Sequence, residues 1–380
     1  MAAVSKALVI GGGIGGLVAA RALRMQGIEV DLIEKAPTWT VYGVGIIQPN
    51  NVLRALEKVG LVQPCLKEGG AFESWRVHDA QGNVLLDPPG ARDAAPHLPA
   101  NNGITRPKLH EVLIDGATEK GVDIRLGTTV SDLNHSAGAA VDVSFSDGSQ
   151  RRYDLVIGYE GVFSPTRQWL FGDTYIPQFT GQGVWRYNFE RPAEMDTGMV
   201  FFGPDTKVGL VPLSPTLMYM FIVTAEKDGT WYDGPDVASE MQARLKGYGG
   251  LVERLKSEIL DPAGVVYRPM MNMLVSEPWY KGRIMLGGDA AHTTTPHLAQ
   301  GAAMAIEDAV LLAELLGTHS TLEVAQREFM QRRFDRVKYV VDCSTQLASW
   351  EMEEWRGIHN PDADPGGLLH RATAALMAEY

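Results

Sequence analysis

The chain has 380 residues, 45% of them apolar and 21% charged, with 34 basic against 46 acidic side chains and a net charge of −12. That length suits one large or two interlocked domains and the composition is that of a folded globular protein, while a net negative field with no lysine- or arginine-rich run argues against a nucleic-acid partner. Only Cys65 and Cys343 are present, far apart and outside any metal-ligand spacing, so neither a disulfide framework, a dithiol redox centre nor a metal is expected.

Lys6–Ile10 reads as a buried strand, followed by a glycine turn, a helix over 17–26 closed by Gly27, and a second strand at Glu29–Glu34. Residues 109–120 read as a helix and 122–126, 141–145 and 153–157 as strands, with 146–149 (SDGS) as a hairpin turn. From 179 to 275 the pattern turns alternating and aromatic-rich, as in 208–213 and 217–223, which predicts a mainly antiparallel sheet. A short buried strand at 283–286 and a buried helix at 301–316 follow. An amphipathic helix over 321–355 breaks at 360–367 before a last short helix. No stretch reaches the roughly 18 consecutive apolar residues of a membrane span. The N-terminus shows no basic leader, so a cytoplasmic location without membrane contact is expected.

Gly11, Gly13 and Gly16 stand in G-x-G-x-x-G spacing between the first strand and its helix. The first glycine allows the tight turn, the second lets a pyrophosphate approach the backbone, and the third lets helix and strand pack closely. With Ile14 and Gly15 they open a helix whose N-terminal N–H groups favour anions. Glu34, followed by Lys35, can accept hydrogen bonds from ribose hydroxyls and would repel a 2′-phosphate, so the turn suits FAD or NAD. A glycine turn kept only for packing is the plainer alternative.

The segment Gly287-Gly288-Asp289-Ala290-Ala291-His292, then Pro296, then Gln300-Gly301-Ala302-Ala303 and Glu307-Asp308-Ala309, sets an aspartate directly after a strand and small residues at the head of a long helix. Together with the N-terminal turn, these residues resemble the class A flavoprotein monooxygenases, the family of para-hydroxybenzoate hydroxylase, over nearly the whole chain. The resemblance implies that Asp289 holds the ribityl chain of FAD, that Pro296 lines the reaction site, and that backbone N–H groups near Gly301 and Ala302 meet the pyrimidine edge of the flavin. A helix N-terminus there stabilises the negative charge of the reduced ring. The stretch Asp154…Gly158-Tyr159-Glu160-Gly161…Ser164…Arg167 resembles the family's middle motif, with Tyr159 and Glu160 in place of Ala and Asp. Arg106 stands where the family has an arginine near the flavin, and Gly45 lies in a stretch similar to its mobile loop. An ordinary Gly-Asp turn before a core helix, with Glu307 and Asp308 exposed or capping, is the plainer alternative.

The implied fold is α/β: a Rossmann-like FAD-binding domain, discontinuous over 1–178 and 276–320 with part of 70–105 on the substrate side, an inserted mainly antiparallel sheet domain at 179–275, and C-terminal helices at 321–380. The implied activity is that of a monooxygenase using NADH or NADPH and dioxygen, through a flavin hydroperoxide, to hydroxylate a small electron-rich aromatic or N-heteroaromatic compound such as a hydroxybenzoate, hydroxypyridine or urate-like ring. Inward residues of the sheet would bind that ring: Lys207, Arg186 and Tyr219, with Tyr219 and Pro296 also at the reacting centre. His297 is expected to transfer protons, its ordinary pKa lying near neutrality. Plainer alternatives make Tyr219 and Trp185 core aromatics, Lys207 a solvated charge and His297 a loop residue; His292 is expected to be structural. Rival functions are a flavin-binding sensor or assembly partner, suggested by Tyr159-Glu160, and a halogenase or epoxidase relative, for which no W-x-W-x-I-P stretch is found. The C-terminal helices, with Trp350 and Trp355, suit their own chain or a second subunit, and a homodimer is the expectation.

Overall fold

A computed structural model describes residues 4–41, 43–134 and 140–380 of the chain. Its centre is the strand Lys6–Ile10, whose apolar side chains are buried on both faces, as in a parallel sheet covered by helices. Glu29–Glu34 and Leu155–Gly158 flank it in parallel register, and Asp123–Leu126, Ile284–Leu286 and the edge strand Tyr280–Lys281 complete six strands. The helix Ile14–Met25 begins three residues earlier than its apolar period suggests, because Gly13 is already the extended residue before it. Gly27, at φ +80°, ends the turn that returns the chain to the sheet.

The run read as one strand at 153–157 is two. Gln150–Tyr153 belongs to a three-stranded antiparallel sheet with Val141–Phe145 and Val130–Asn134, whereas Leu155–Gly158 enters the parallel sheet. Asp154 makes the change of sheet, its carboxylate accepting the N–H groups of Ser5 and Lys6 at 2.8 and 3.0 Å.

A second large sheet has eight strands in the order His292–Thr293, Val266–Leu274, Gln178–Glu190, Leu217–Ala225, Thr206–Pro212, Gly198–Phe202, Trp75–Asp79 and Val84–Leu86. All neighbours are antiparallel except Gly198–Phe202 with Trp75–Asp79. Alternation gives the sheet two different faces. Trp185, Val208, Leu210, Met218, Met220 and Ile222 point into an apolar core closed by two helices, Val237–Ala243 and Gly250–Lys256. The mainly antiparallel sheet expected from the sequence does not single out these short helices, which are flanked by glycines. The opposite face carries Arg186, Phe221 and Gly209 in one row of the register and Asn188, Tyr219 and Val211 in the next.

The buried helix Gly301–Thr318 packs on the helix Ile14–Met25 and on the 34-residue helix Leu322–Trp355, whose Phe329, Val337, Val340 and Leu347 enter the main core. Trp350 and Trp355 are partly buried against their own chain. The last helix, Pro365–Met377, starts inside the stretch expected to break: Pro365 occupies its first position and Asp364 accepts the Gly367 N–H at 2.8 Å. Among the described residues, no helix is long and apolar enough to cross a membrane and no group of His, Cys, Asp or Glu could hold a metal.

Candidate active site

The glycine turn has the shape of a phosphate cradle. Gly11 sits at φ +106°, and a Cβ there or at Gly16 would overlap backbone oxygen atoms of Tyr159 and of Gly11 respectively. Gly13 is different: it is exposed, and a Cβ there would meet nothing within 4 Å. Its missing side chain therefore serves no packing within the protein, and leaves open ground over the first turn formed by Ile14 and Gly15. The Glu34 carboxylate accepts the Gly12 N–H and the Ala36 N–H, both at 2.9 Å, and stands at the end of its strand with Lys35 exposed beside it. His110, not anticipated from the sequence, donates from Nε2 to the Gly12 carbonyl at 2.7 Å, with its ring edge-on to Trp39.

The second segment rests on a buried ionic network. Glu307, Asp308 and Arg333 have no exposed side-chain surface, which overturns the reading of the two acids as exposed or capping residues. Arg333 donates to Asp308 Oδ1 and Glu307 Oε2 at 2.7 Å each, His292 Nε2 lies 2.6 Å from Asp308 Oδ2, and the Gly288 N–H reaches that oxygen at 3.2 Å. Burial alone would push both carboxyl pKa values up. The Arg333 guanidinium, with His292 beside Asp308 and Arg336 beside Glu307, holds them below the ordinary range. The Gly288 turn, at φ +58°, is thus anchored from below while Asp289 stays half-buried above it, its carboxyl pushed up by burial against the opposing pull of His292 and Arg106. Gln300 precedes the helix Gly301–Thr318 without capping it, its side chain being engaged with Asn51. The first N–H groups of the helix, at Gly301 and Ala302, are therefore not capped by the Gln300 side chain. Pro296 is exposed at the start of the turn Pro296–Leu298.

The middle motif joins the two segments. The Tyr159 ring lies where a Cβ on Gly15 would be 2.7 Å away, and a Cβ on Gly287 would be 2.6 Å from its hydroxyl. Glu160 accepts from the Ser164 hydroxyl at 2.6 Å and the Thr166 N–H at 3.2 Å, while Arg167 donates to the Ala290 carbonyl at 3.1 Å. The two residues that depart from the family pattern are therefore built into the packing of the cradle.

On the inner face of the large sheet, Arg186 and Tyr219 meet Gly45 and Arg106 from outside it. Gly45 lies opposite Thr105 in a small antiparallel sheet, the Arg106 N–H donates to the Val44 carbonyl at 2.9 Å, and the Tyr219 ring packs on Gly45. Burial and the neighbouring Arg106 push the Arg186 pKa down to about 10. Burial raises the Tyr219 pKa against the pull of Arg186 and Arg106. Burial lowers that of Arg106, opposed by Tyr219 and Asp289 and reinforced by Arg268. Arg106, Arg186 and Arg268 thus act on one another, with Asp289 beside Arg106. Arg268, opposite Val184 on the adjoining strand, escaped the sequence reading, although its place in the alternation of Val266–Leu274 was a signal for it.

Two expectations need correction. Lys207 does share the inner face, but it is ion-paired with Glu351 of the long C-terminal helix and does not join the arginine cluster. His297 has both ring nitrogens engaged, Nδ1 with Thr295 Oγ1 and Nε2 with Glu351 Oε2, each at 2.9 Å, and its side chain is 1% exposed. No ring nitrogen is left to take a proton from a substrate, so in this arrangement His297 is not a base at the reacting centre. Trp185 lies in the sheet's apolar core, with Arg244 over its ring at 4.1 Å.

A two-segment dinucleotide cradle facing a cationic sheet defines a flavoenzyme of the FAD-binding fold. The chain belongs to the FAD binding domain family, whose pattern it matches over residues 4–331. It is 34% identical over 342 residues, 90% of this chain and 92% of the relative, to YetM of Bacillus subtilis (strain 168), an FAD-dependent monooxygenase by name only. It is 30% identical over 384 residues, 91% of this chain and 93% of the relative, to the 6-hydroxynicotinate 3-monooxygenase of Pseudomonas fluorescens. Among solved structures, a point variant of HpxO of Klebsiella pneumoniae complexed with FAD superposes with a TM-score of 0.83 at 26% identity, covering 99% of this chain and 95% of that one. The resemblance to class A flavoprotein monooxygenases therefore holds for the fold and the family.

Proposed function

We propose that this protein is an FAD-dependent monooxygenase that uses NADH or NADPH and dioxygen to hydroxylate a small aromatic or N-heteroaromatic ring carrying a negative charge. The observation that carries the choice of substrate is the cationic inner face of the sheet: Arg186 and Arg268 lie on it in adjoining strands, and Arg106 stands close enough to Arg186 to lower its pKa beside Tyr219. A partly buried cationic surface of this kind stabilises a carboxylate or a deprotonated ring hydroxyl more than bulk water would. The relatives named for 6-hydroxynicotinate and, in Klebsiella pneumoniae, for urate act on rings of that class.

The residues present fit FAD. Gly11, Gly13, Ile14, Gly15 and Gly16 would take the pyrophosphate, Glu34 with Lys35 the adenosine ribose, Asp289 the ribityl chain, and Gly45, Arg106, Pro296, Gly301 and Ala302 the ring. Bound there, FAD would supply electron transfer and oxygen activation. The chain's own part is to hold and shield the acceptor ring. Arg186 and Arg268 orient its anionic group, and Tyr219 contacts it from the sheet. The sensor reading loses its foothold, since Tyr159 and Glu160 are accounted for by packing.

The test is a substrate screen on purified, flavin-loaded protein. NADH or NADPH consumption coupled to oxygen uptake should rise several-fold with hydroxynicotinate, hydroxybenzoate or urate-type compounds. No bleaching of the flavin by either nucleotide across such a panel would overturn the proposal.

A further inference from the structure

Glu351 sits about one turn from the end of the long C-terminal helix, far from both flavin motifs in sequence, yet its carboxylate joins three elements. Oε1 pairs with Lys207 on the inner face of the large sheet. Oε2 meets His297 Nε2 at 2.9 Å and accepts from Gln182 Nε2 at 3.2 Å. His297 in turn belongs to the turn Pro296–Leu298, which Thr295 holds from the other ring nitrogen. That turn ends in Ala299 at φ +54°, the one residue other than glycine with a left-handed backbone among the described residues. Such a conformation is unfavourable for an L side chain and persists only where its surroundings fix it. Two residues later the helix Gly301–Thr318 begins, with its first N–H groups free of any side-chain cap.

We propose that Glu351 is a positioning residue that locks the His297 turn to the substrate-facing strand, and so fixes the helix N-terminus at Gly301 and Ala302 that faces the flavin ring. This rests on the flavin placement proposed above. The clamp adds to the constraints on Ala299: Leu298 is buried in the main core and Gln300 is held by Asn51, while His297 is the side chain that ties the turn to the large sheet through Glu351. It also assigns Lys207 a role. Lys207 anchors the carboxylate to the sheet, and its charge is matched there by Glu351. Donors aimed at a developing negative charge are effective only when held in advance. Loosening the turn should therefore weaken the grip on reduced flavin more than on oxidised flavin.

The experiment compares the flavin-loaded wild type with Glu351→Gln. The substitution keeps the shape of the side chain and removes its charge. The expected result is a midpoint potential of bound FAD shifted to more negative values, an altered visible spectrum of the flavin, and an FAD dissociation constant raised roughly tenfold, the effect of about 1.4 kcal/mol. A lowered melting temperature with unchanged potential, spectrum and FAD affinity would make Glu351 a structural residue only, and would overturn the inference while the monooxygenase reading stands. If Glu351→Gln does not fold, the double variant Lys207→Met with Glu351→Gln, which keeps the cluster uncharged overall, is read in the same way. Failure of the wild type itself to bind FAD would overturn the functional reading and the inference together.

Discussion

A Cβ placed on Gly45 would stand 2.5 Å from Tyr219 Cε1, so the strand that carries Gly45 and the sheet that carries Tyr219 close on each other with no room for a methyl group. The contact fixes the distance between the Gly45 strand and the substrate-facing strand. Gly45→Ala must push the ring or the Gly45 strand away, at a cost typical of overpacking, about 1–3 kcal/mol. We expect a modest fall in melting temperature and a fall in kcat/KM of roughly tenfold or more, since about 1.4 kcal/mol is a factor of ten. Tyr219→Phe keeps the packing, so its melting temperature should match the wild type. A Gly45→Ala enzyme with unchanged kcat/KM would show that this contact does not shape the site.

The charge of the substrate is the second testable point. Arg186 is held among Arg106, Arg268 and Tyr219, where burial and a neighbouring cation already push its pKa down to about 10. A bound anion would relieve that repulsion. Arg186→Gln should raise KM for a carboxylate-bearing ring by roughly tenfold to a hundredfold, the range expected from losing a charged hydrogen bond of about 1.5–3 kcal/mol. The amide analogue of the same substrate should lose far less. Equal losses for acid and amide would remove Arg186 from anion recognition.

Tyr159 offers a stability prediction. Its ring, 8% exposed, fills the space between the glycine turn and Gly287, and the glycines around it have no room for a side chain. Tyr159→Ala, which restores the family's usual residue, should leave a cavity and cost about 3–5 kcal/mol. FAD affinity should fall with it, because both halves of the cradle lose their common support. Urea unfolding of the apoprotein and flavin titration measure the two effects separately. A variant as stable as the wild type would mean that the neighbouring segments collapse onto the smaller side chain.

What the sequence disclosed follows from how far apart the interacting residues lie. The cradle was legible because Gly11, Gly13 and Gly16 act within one turn, and Asp289 and Gly301 within one strand-to-helix connection. The shared inner face of Lys207, Arg186 and Tyr219 was legible through strand alternation. The partner of Lys207 was not, because Glu351 lies 144 residues away on a helix whose surface carries many charges. The same holds for Arg333 with Asp308, 25 residues apart and buried together only after two helices pack. Local pattern finds residues that touch a ligand through the backbone, whereas ionic clusters assembled from distant helices leave no spacing to read.

Those clusters fix how stability depends on pH. Burial would raise the Glu351 carboxyl, but Lys207 and His297 bring it from 4.5 down to about 2, and Glu307 and Asp308 are likewise held below their ordinary values. A carboxyl with a depressed pKa binds fewer protons in the folded chain than in the unfolded one, so its stabilisation is present above the unfolded pKa and is lost on acidification. His297 works in the same direction: burial and Lys207 lower its pKa from 6.5 against the pull of Glu351, so the unfolded chain takes up that proton first. Stability should therefore be flat between about pH 8 and 7, begin to fall near pH 6.5 where His297 of the unfolded chain titrates, and drop more steeply below 4.5. Urea midpoints across that range measure the curve. In Glu351→Gln the part of the acid slope below 4.5 that belongs to this carboxyl should vanish, and a midpoint that stays constant or rises as the wild type is acidified would show that these buried pairs do not carry the charges assigned to them.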